Sequence, residues 1–400
     1  MANFIQEFSG DYHLFQKGRI SGKLLVAFSA MGKHKGHFNY VKSLSSAPYD
    51  ILFVSCRNST WYQHGVSGMG REDSIKSSIE FIENLAKEID ASKIYTFGSS
   101  MGGYAALLFG ALMGGLPTLA IDAETLLDTP DSRSIKHMPA DEPRTYIDLR
   151  PILAKNPVTN RWLYSSEMGM TDIYAAKRCA DLINVVTLSD VSHAAAPYIH
   201  SVCGIGNFIT TFVEDKKLPK LPNEGNILKY PEAVDYLTYC WEHIKFQRYV
   251  NALETAKAAV DISDSPAAWY AMGVSYLYLN DYENAIKAQR KTILKIPRFP
   301  RAHLQLGLAL VRNKNYQEAI DAMSRCIEMT SKIPAAFFQR GLAYYAVGNF
   351  TQAENDFYEA WKIDKKNPLY IEKLRSSLES RIEKCSTILN ELSSFGKSDE

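Results

Sequence analysis

Tyr95-Thr96-Phe97-Gly98-Ser99-Ser100-Met101-Gly102-Gly103-Tyr104-Ala105-Ala106 is the stretch on which the fold of this chain turns. Residues 94–97 are a short apolar run of strand type, and residues 104–112 are an apolar segment long enough for a buried helix. A strand that enters a helix through so few residues must bend sharply. Gly98 and Gly102 therefore lack side chains where the chain crowds itself, and Gly103 lets the helix lie close to the strands. Such a turn holds the Ser100 hydroxyl clear of the sheet. The plain alternative is a glycine-rich turn around an inert serine.

Outward from this turn, apolar runs alternate with amphipathic stretches over residues 20–212, the signature of strands and helices wound into a parallel sheet. The predicted strands are residues 24–28, 51–55, 94–97, 118–122, 162–164 and 185–188. Residues 71–89 carry Ile75, Ile79, Ile82, Leu85 and Ala86 at helical spacing and form a crossover helix. The fold class is α/β, a doubly wound and mainly parallel sheet, followed by an all-α solenoid. Around residues 215–225 the composition shifts to charge, proline and glycine, and every later segment reads as helix. The expected division is a sheet domain at 1–213, a linker at 214–229 and a helical domain at 230–400.

The second half repeats itself. Gly273, Gly307 and Gly341 are 34 residues apart, as are Tyr282, Tyr316 and Phe350, and Ala285, Ala319 and Ala353. The small residues let paired helices approach closely, and the aromatic residues fill the space between pairs. With Trp269 and Pro297, residues 265–368 resemble tetratricopeptide repeats, with a degenerate unit before them and a terminal helix at 369–392 covering the open end. The resemblance implies a protein partner bound in a concave groove. Stabilisation or self-association of the sheet domain is the alternative.

Composition narrows the rest. Four hundred residues exceed one ordinary core, and a formal charge of +1 supplies no field for nucleic acid or an acidic membrane. Cys56, Cys179, Cys203, Cys240, Cys326 and Cys385 have no metal-ligand spacing and read as reduced thiols. No leader and no membrane-spanning run is evident, so a cytoplasmic location is expected.

A serine hydroxyl needs a base within hydrogen-bond reach to act as a nucleophile. His193 stands directly after the last predicted strand; His200 lies inside the next helix, His137 in an insertion, and His243 and His303 in the repeats. With the Ser100 turn and this placement of His193, residues 20–212 resemble the α/β-hydrolase fold. The resemblance implies a carboxylate after the penultimate strand, and Asp172 is preferred there over Glu167, with Asp190 a weaker candidate. The order Ser100, Asp172, His193 follows that of the fold. An oxyanion hole needs two N–H donors: Met101 after the serine, and Ala30 or Ser29 in the loop after the first predicted strand. That loop lacks the family's common His-Gly start, which leaves the second donor less fixed.

Two loops are candidates for substrate contact: residues 32–40, with His34, and residues 56–64, with Arg57, Trp61 and Tyr62. His34 and His37 have no further ligands beside them, and neither a metal nor a cofactor is expected. The insertion at 123–160 occupies the position of a lid and is polar, which disfavours long lipid chains. The expected activity is hydrolysis of short-chain carboxylic esters of a small polar substrate, an acylated carbohydrate being one fit. Acyl transfer by the same residues and a non-catalytic adaptor are the alternatives.

Overall fold

Apolar residues on both sides of each central strand require cover on both faces, and the computed structural model supplies it. It describes residues 8–20, 22–129 and 132–395. Seven strands, β1 (His13–Gln16), β2 (Lys23–Phe28), β3 (Asp50–Val54), β4 (Lys93–Ser99), β5 (Thr118–Ile121), β6 (Arg161–Ser166) and β7 (Asn184–Leu188), lie in the order β1-β3-β2-β4-β5-β6-β7. Every pairing is parallel except that of β1, which runs antiparallel to β3 with His13 opposite Val54. The edge strand β1 was not among the predicted strands. Its four residues are too short to show alternation against a polar background.

Along β2 the two faces separate cleanly. Leu24, Val26 and Phe28 join the core beneath α1 (Ile75–Glu88) and α2 (Met101–Leu112). Leu25 and Ala27 join the core on the opposite face. The first helix starts at Ile75 because Ser74 caps it, its hydroxyl accepting from the Ser77 amide at 3.1 Å. The insertion contains two short helices, α3 (Arg133–His137) and α4 (Arg150–Lys155). Beyond it come α5 (Met170–Cys179), α6 (Ala195–Cys203) and α7 (Ile205–Val213), the last two packing on the second face.

The expected linker is instead a strap laid along β7. Ser189 and Gly225 donate backbone bonds to Asn223 and Thr187 at 3.0 and 2.7 Å, and Leu221 and Ile227 are buried. Its hydrophobic residues need a core, and the sheet edge provides one. The chain divides into two compact units between Thr238 and Tyr239, within α8 (Pro231–Lys245), rather than at residue 213.

In the second unit α9 (Tyr249–Ile262) precedes three helix pairs, α10 (Pro266–Tyr278) with α11 (Tyr282–Lys295), α12 (Pro300–Arg312) with α13 (Tyr316–Met329), and α14 (Pro334–Ala346) with α15 (Phe350–Ile363). Pro266, Pro300 and Pro334 open the first helix of successive pairs, where a missing amide hydrogen costs nothing. Opposite Gly273, Gly307 and Gly341 stand Gln289, Met323 and Phe357, each filling the gap its glycine leaves. A final helix, α16 (Pro368–Phe395), follows, and Tyr370 packs against Phe338 of the preceding pair. No helix among the described residues is long and apolar enough to cross a membrane.

Candidate active site

The C-terminal ends of β4, β5, β6 and β7 bring four polar side chains together. Ser100 follows β4 and precedes α2 with φ 54° and ψ −123°, a conformation strained for any residue but glycine. Its backbone is fixed by its own amide donating to the Ile121 carbonyl at 2.8 Å. The crowding expected of the glycines is present: a Cβ on Gly98 would lie 2.1 Å from the Gly102 carbonyl oxygen, and one on Gly102 would lie 2.3 Å from that of Phe28.

Ser100 Oγ is 2.9 Å from His193 Nε2, and His193 Nδ1 is 2.9 Å from Asp172 Oδ1. His193 follows β7 with φ 45°, a second strained residue. Asp172 is fully buried, and its carbonyl accepts from Ser165 Oγ at 2.7 Å. It sits in the first turn of α5, which begins at Met170. The structure thus joins Ser100, His193 and Asp172 in one hydrogen-bonded line. A buried carboxylate on Nδ1 favours the tautomer whose Nε2 can accept the serine proton.

The rival acids are engaged elsewhere. Glu167 accepts from Thr187 Oγ1 at 2.7 Å and from the Ile227 amide at 3.0 Å, so it anchors the strap. Asp190 accepts from Asn223 Nδ2.

Sequence reasoning missed Asp122. It is buried directly after β5, at φ 47°, and its carboxylate, that of Asp172 and the His193 ring present ligand atoms within 4.8 Å of one another. Its Oδ1 accepts from the amide and hydroxyl of Ser166 at 3.1 and 2.8 Å, and its Oδ2 from the Ala195 amide at 2.8 Å. Burial, then the neighbouring Asp172 charge, push its carboxyl up to about 6. A metal at this cluster would have to displace Ser100 or Asp172, since both nitrogens of His193 are committed. From the insertion, Arg133 Nη1 approaches Asp172 Oδ1 at 3.6 Å.

Met101 opens α2, so its amide has no partner within the helix and is available to a developing anion. The two candidates for a second donor are already engaged. The Ser29 amide extends the ladder to the Val54 carbonyl at 2.8 Å, and the Ala30 amide donates to Asn39 Oδ1 at 2.9 Å. In return the Asn39 amide donates to Ser29 Oγ at 3.0 Å, which ties the loop to itself. Near its far end, Tyr40 Oη lies 2.5 Å from Ser99 Oγ.

Of the residues expected to meet substrate, His34 and Arg57 are exposed. Trp61 and Tyr62 are 1% and 0% exposed and belong to the core. Tyr62 packs edge-on against Phe28 and donates to the Ser29 carbonyl at 3.0 Å, so it supports the loop beside the serine rather than a ligand. Aromatic residues beside polar ones suggested a recognition surface, but the left-handed backbone at both positions turns their rings inward.

The tetratricopeptide-repeat family matches residues 270–332 and 304–368. No curated protein matches the chain. Among solved structures, a thermophilic TPR protein of Thermus thermophilus is 19% identical over 37% of this chain and 82% of its own, with a TM-score of 0.34. MamA from Desulfovibrio magneticus RS-1 is 18% identical over 42% of this chain and 97% of its own, with a TM-score of 0.36. The first TPR of Spaghetti (RPAP3), bound in that structure to an HSP90 peptide, is 19% identical over 29% of this chain and 93% of its own, with a TM-score of 0.29. The C-terminal region of the chain carries tetratricopeptide repeats.

Proposed function

We propose that the sheet unit is a serine hydrolase of the α/β-hydrolase type, acting on carboxylic esters. One observation carries the reading: the line from Ser100 Oγ through His193 to Asp172, with both hydrogen bonds at 2.9 Å and the serine held in a strained strand-to-helix turn. In this reading Ser100 Oγ attacks the ester carbonyl carbon while His193 Nε2 takes its proton. The electron pair of the carbonyl moves onto oxygen beside the Met101 amide. As the carbonyl reforms, the alkoxide leaves with the proton from His193. Water then attacks the acyl-enzyme, giving its proton to His193, and Ser100 leaves as the hydroxyl with the free acid as product. Asp172 fixes the ring and stabilises its charged form. The polar insertion favours a short acyl chain on a small polar substrate, and the repeats supply a surface for a protein partner.

Fluorophosphonate labelling tests this directly. The wild-type protein is expected to label and Ser100→Ala to remain unlabelled. A folded wild-type protein that does not label is evidence for the adaptor alternative and ends the catalytic reading.

A further inference from the structure

We infer that Asp122 is a second carboxylate of this site, a positioning residue that holds the His193 loop against the end of β6 and couples that hold to its own ionisation. The inference rests on the hydrolase reading and extends it.

The geometry is that of a clamp. One oxygen of Asp122 grips Ser166, the last residue of β6, through both amide and hydroxyl. The other grips the Ala195 amide, two residues beyond His193. Two of the three partners are amides that can only donate and the third is the Ser166 hydroxyl, so the anion accepts all three bonds, while a protonated carboxyl keeps both amides only by reversing the bond to that hydroxyl. Asp122 itself is held in place by its amide donating to the Tyr164 carbonyl at 2.7 Å, an extension of the sheet ladder beyond β5. The loop it secures needs securing, because His193 has a left-handed backbone that relaxes when unsupported.

The surroundings make the clamp sensitive to pH. Asp172 from α5 and His193 from the loop after β7 both face Asp122, the first raising and the second lowering its proton affinity. Tyr40, from the loop after β2, feels its charge in turn, and Arg133 reaches this set only through Asp172. Two carboxylates this close do not both ionise freely in a buried site. With Asp122 pushed up to about 6, its own protonation adds to the one that any general base undergoes on acidification. The acid limb of activity therefore contains two protonations rather than one.

The test is the second-order rate of fluorophosphonate labelling across about pH 4.5 to 9, a window set to span ordinary carboxylate and histidine values. Wild type is expected to lose labelling below neutrality with a slope approaching two protons. Asp122→Asn, which offers one oxygen and one NH2 in place of two oxygens, is expected to label about 10- to 100-fold more slowly, with its acid limb reduced to a single proton. Ser166→Ala removes one donor from the anion and moves the limb to higher pH. A residue with only a structural role would lower the rate or the thermal midpoint and leave the limb unchanged in both variants. Unchanged limbs, or Asp122→Asn labelling at the wild-type rate, overturn the inference while leaving the hydrolase reading intact. Failure of the wild type to label overturns both.

Discussion

Gly102→Ala puts the local packing argument at risk in a single methyl group. The added Cβ would lie 2.3 Å from the Phe28 carbonyl oxygen, 2.8 Å from its carbon and 2.9 Å from the Ser29 oxygen. Ordinary carbon–oxygen contact is at least about 3.3 Å, so the first turn of α2 must retreat from β2 by about 1 Å. No side chain can give way, since all three atoms are backbone. Phe28 is paired to Val54 on one side and Gly98 on the other, and the Ser29 amide is bonded to Val54. The retreat therefore falls on α2 and carries Ser100 and the Met101 amide with it. Overpacking of this kind costs about 1–3 kcal/mol, and the better helix propensity of alanine returns about 0.5–1, leaving a net loss of up to about 2.5 kcal/mol. A displacement near 1 Å at the reacting atoms slows chemistry about 100-fold. The denaturant midpoint and the fluorophosphonate labelling rate read the two effects separately. A variant with the wild-type midpoint and the wild-type labelling rate would refute the crowding argument and the account of the turn built on it.

Two further substitutions divide the remaining roles. Asp172→Asn is expected to slow labelling by about 10³- to 10⁴-fold through the wrong imidazole tautomer, whereas Glu167→Ala lowers stability by about 1–3 kcal/mol by leaving the Thr187 hydroxyl and Ile227 amide unpaired. Chemical denaturation with labelling on both proteins checks the pair, and a large labelling defect in Glu167→Ala would reassign the acid. Asn39→Asp keeps an acceptor for the Ala30 amide but places a negative charge in the loop whose Ser29 carbonyl lies against Gly102. Labelling is expected to fall about 10- to 100-fold, and a rate at or above wild type would locate the developing anion elsewhere.

The candidate site was legible wherever a residue's role depends on its place relative to a strand end. Ser100 announced itself through Gly98 and Gly102, and His193 through its position after β7. The preference for Asp172 over Glu167 and Asp190 comes from the resemblance to the α/β-hydrolase fold, which implies a carboxylate beyond the penultimate strand. Asp122 obeys the same rule, following β5 directly in Ile121-Asp122-Ala123, but a single acid there has no pattern to mark it. The relevant signal was a polar residue at the C-terminal end of each central strand. Trp61 and Tyr62 misled for the opposite reason. Burial of a loop aromatic depends on backbone angles, and those at Asn58, Ser59, Trp61 and Tyr62 are all left-handed without a glycine to warn of it. The strap was hidden because its charges and prolines mask the two residues, Leu221 and Ile227, that fasten it.

The strain at this site has a structural logic of its own. Ser100, Asp122 and His193 each have positive φ without being glycine; the first two directly follow their strands, and His193 lies five residues beyond β7. A conformation that costs about 1–3 kcal/mol persists only where the surroundings over-determine it. For Ser100 and Asp122 the sheet does so by adding one more ladder bond past the strand end, to Ile121 and Tyr164. His193 has no such bond of its own. Its loop is held by Asp122 through Ala195, by the Met168 amide, which donates to Val191 at 3.2 Å, and by the strap, where Asn223 meets Ser189 and Asp190. The His193 backbone is thus supported through its neighbours rather than directly, and in the proposed mechanism His193 is the group that moves a proton in both directions. Rigidity inherited from β5 and β6 reaches it through a carboxylate, so a charge at position 122 acts on the serine without touching it.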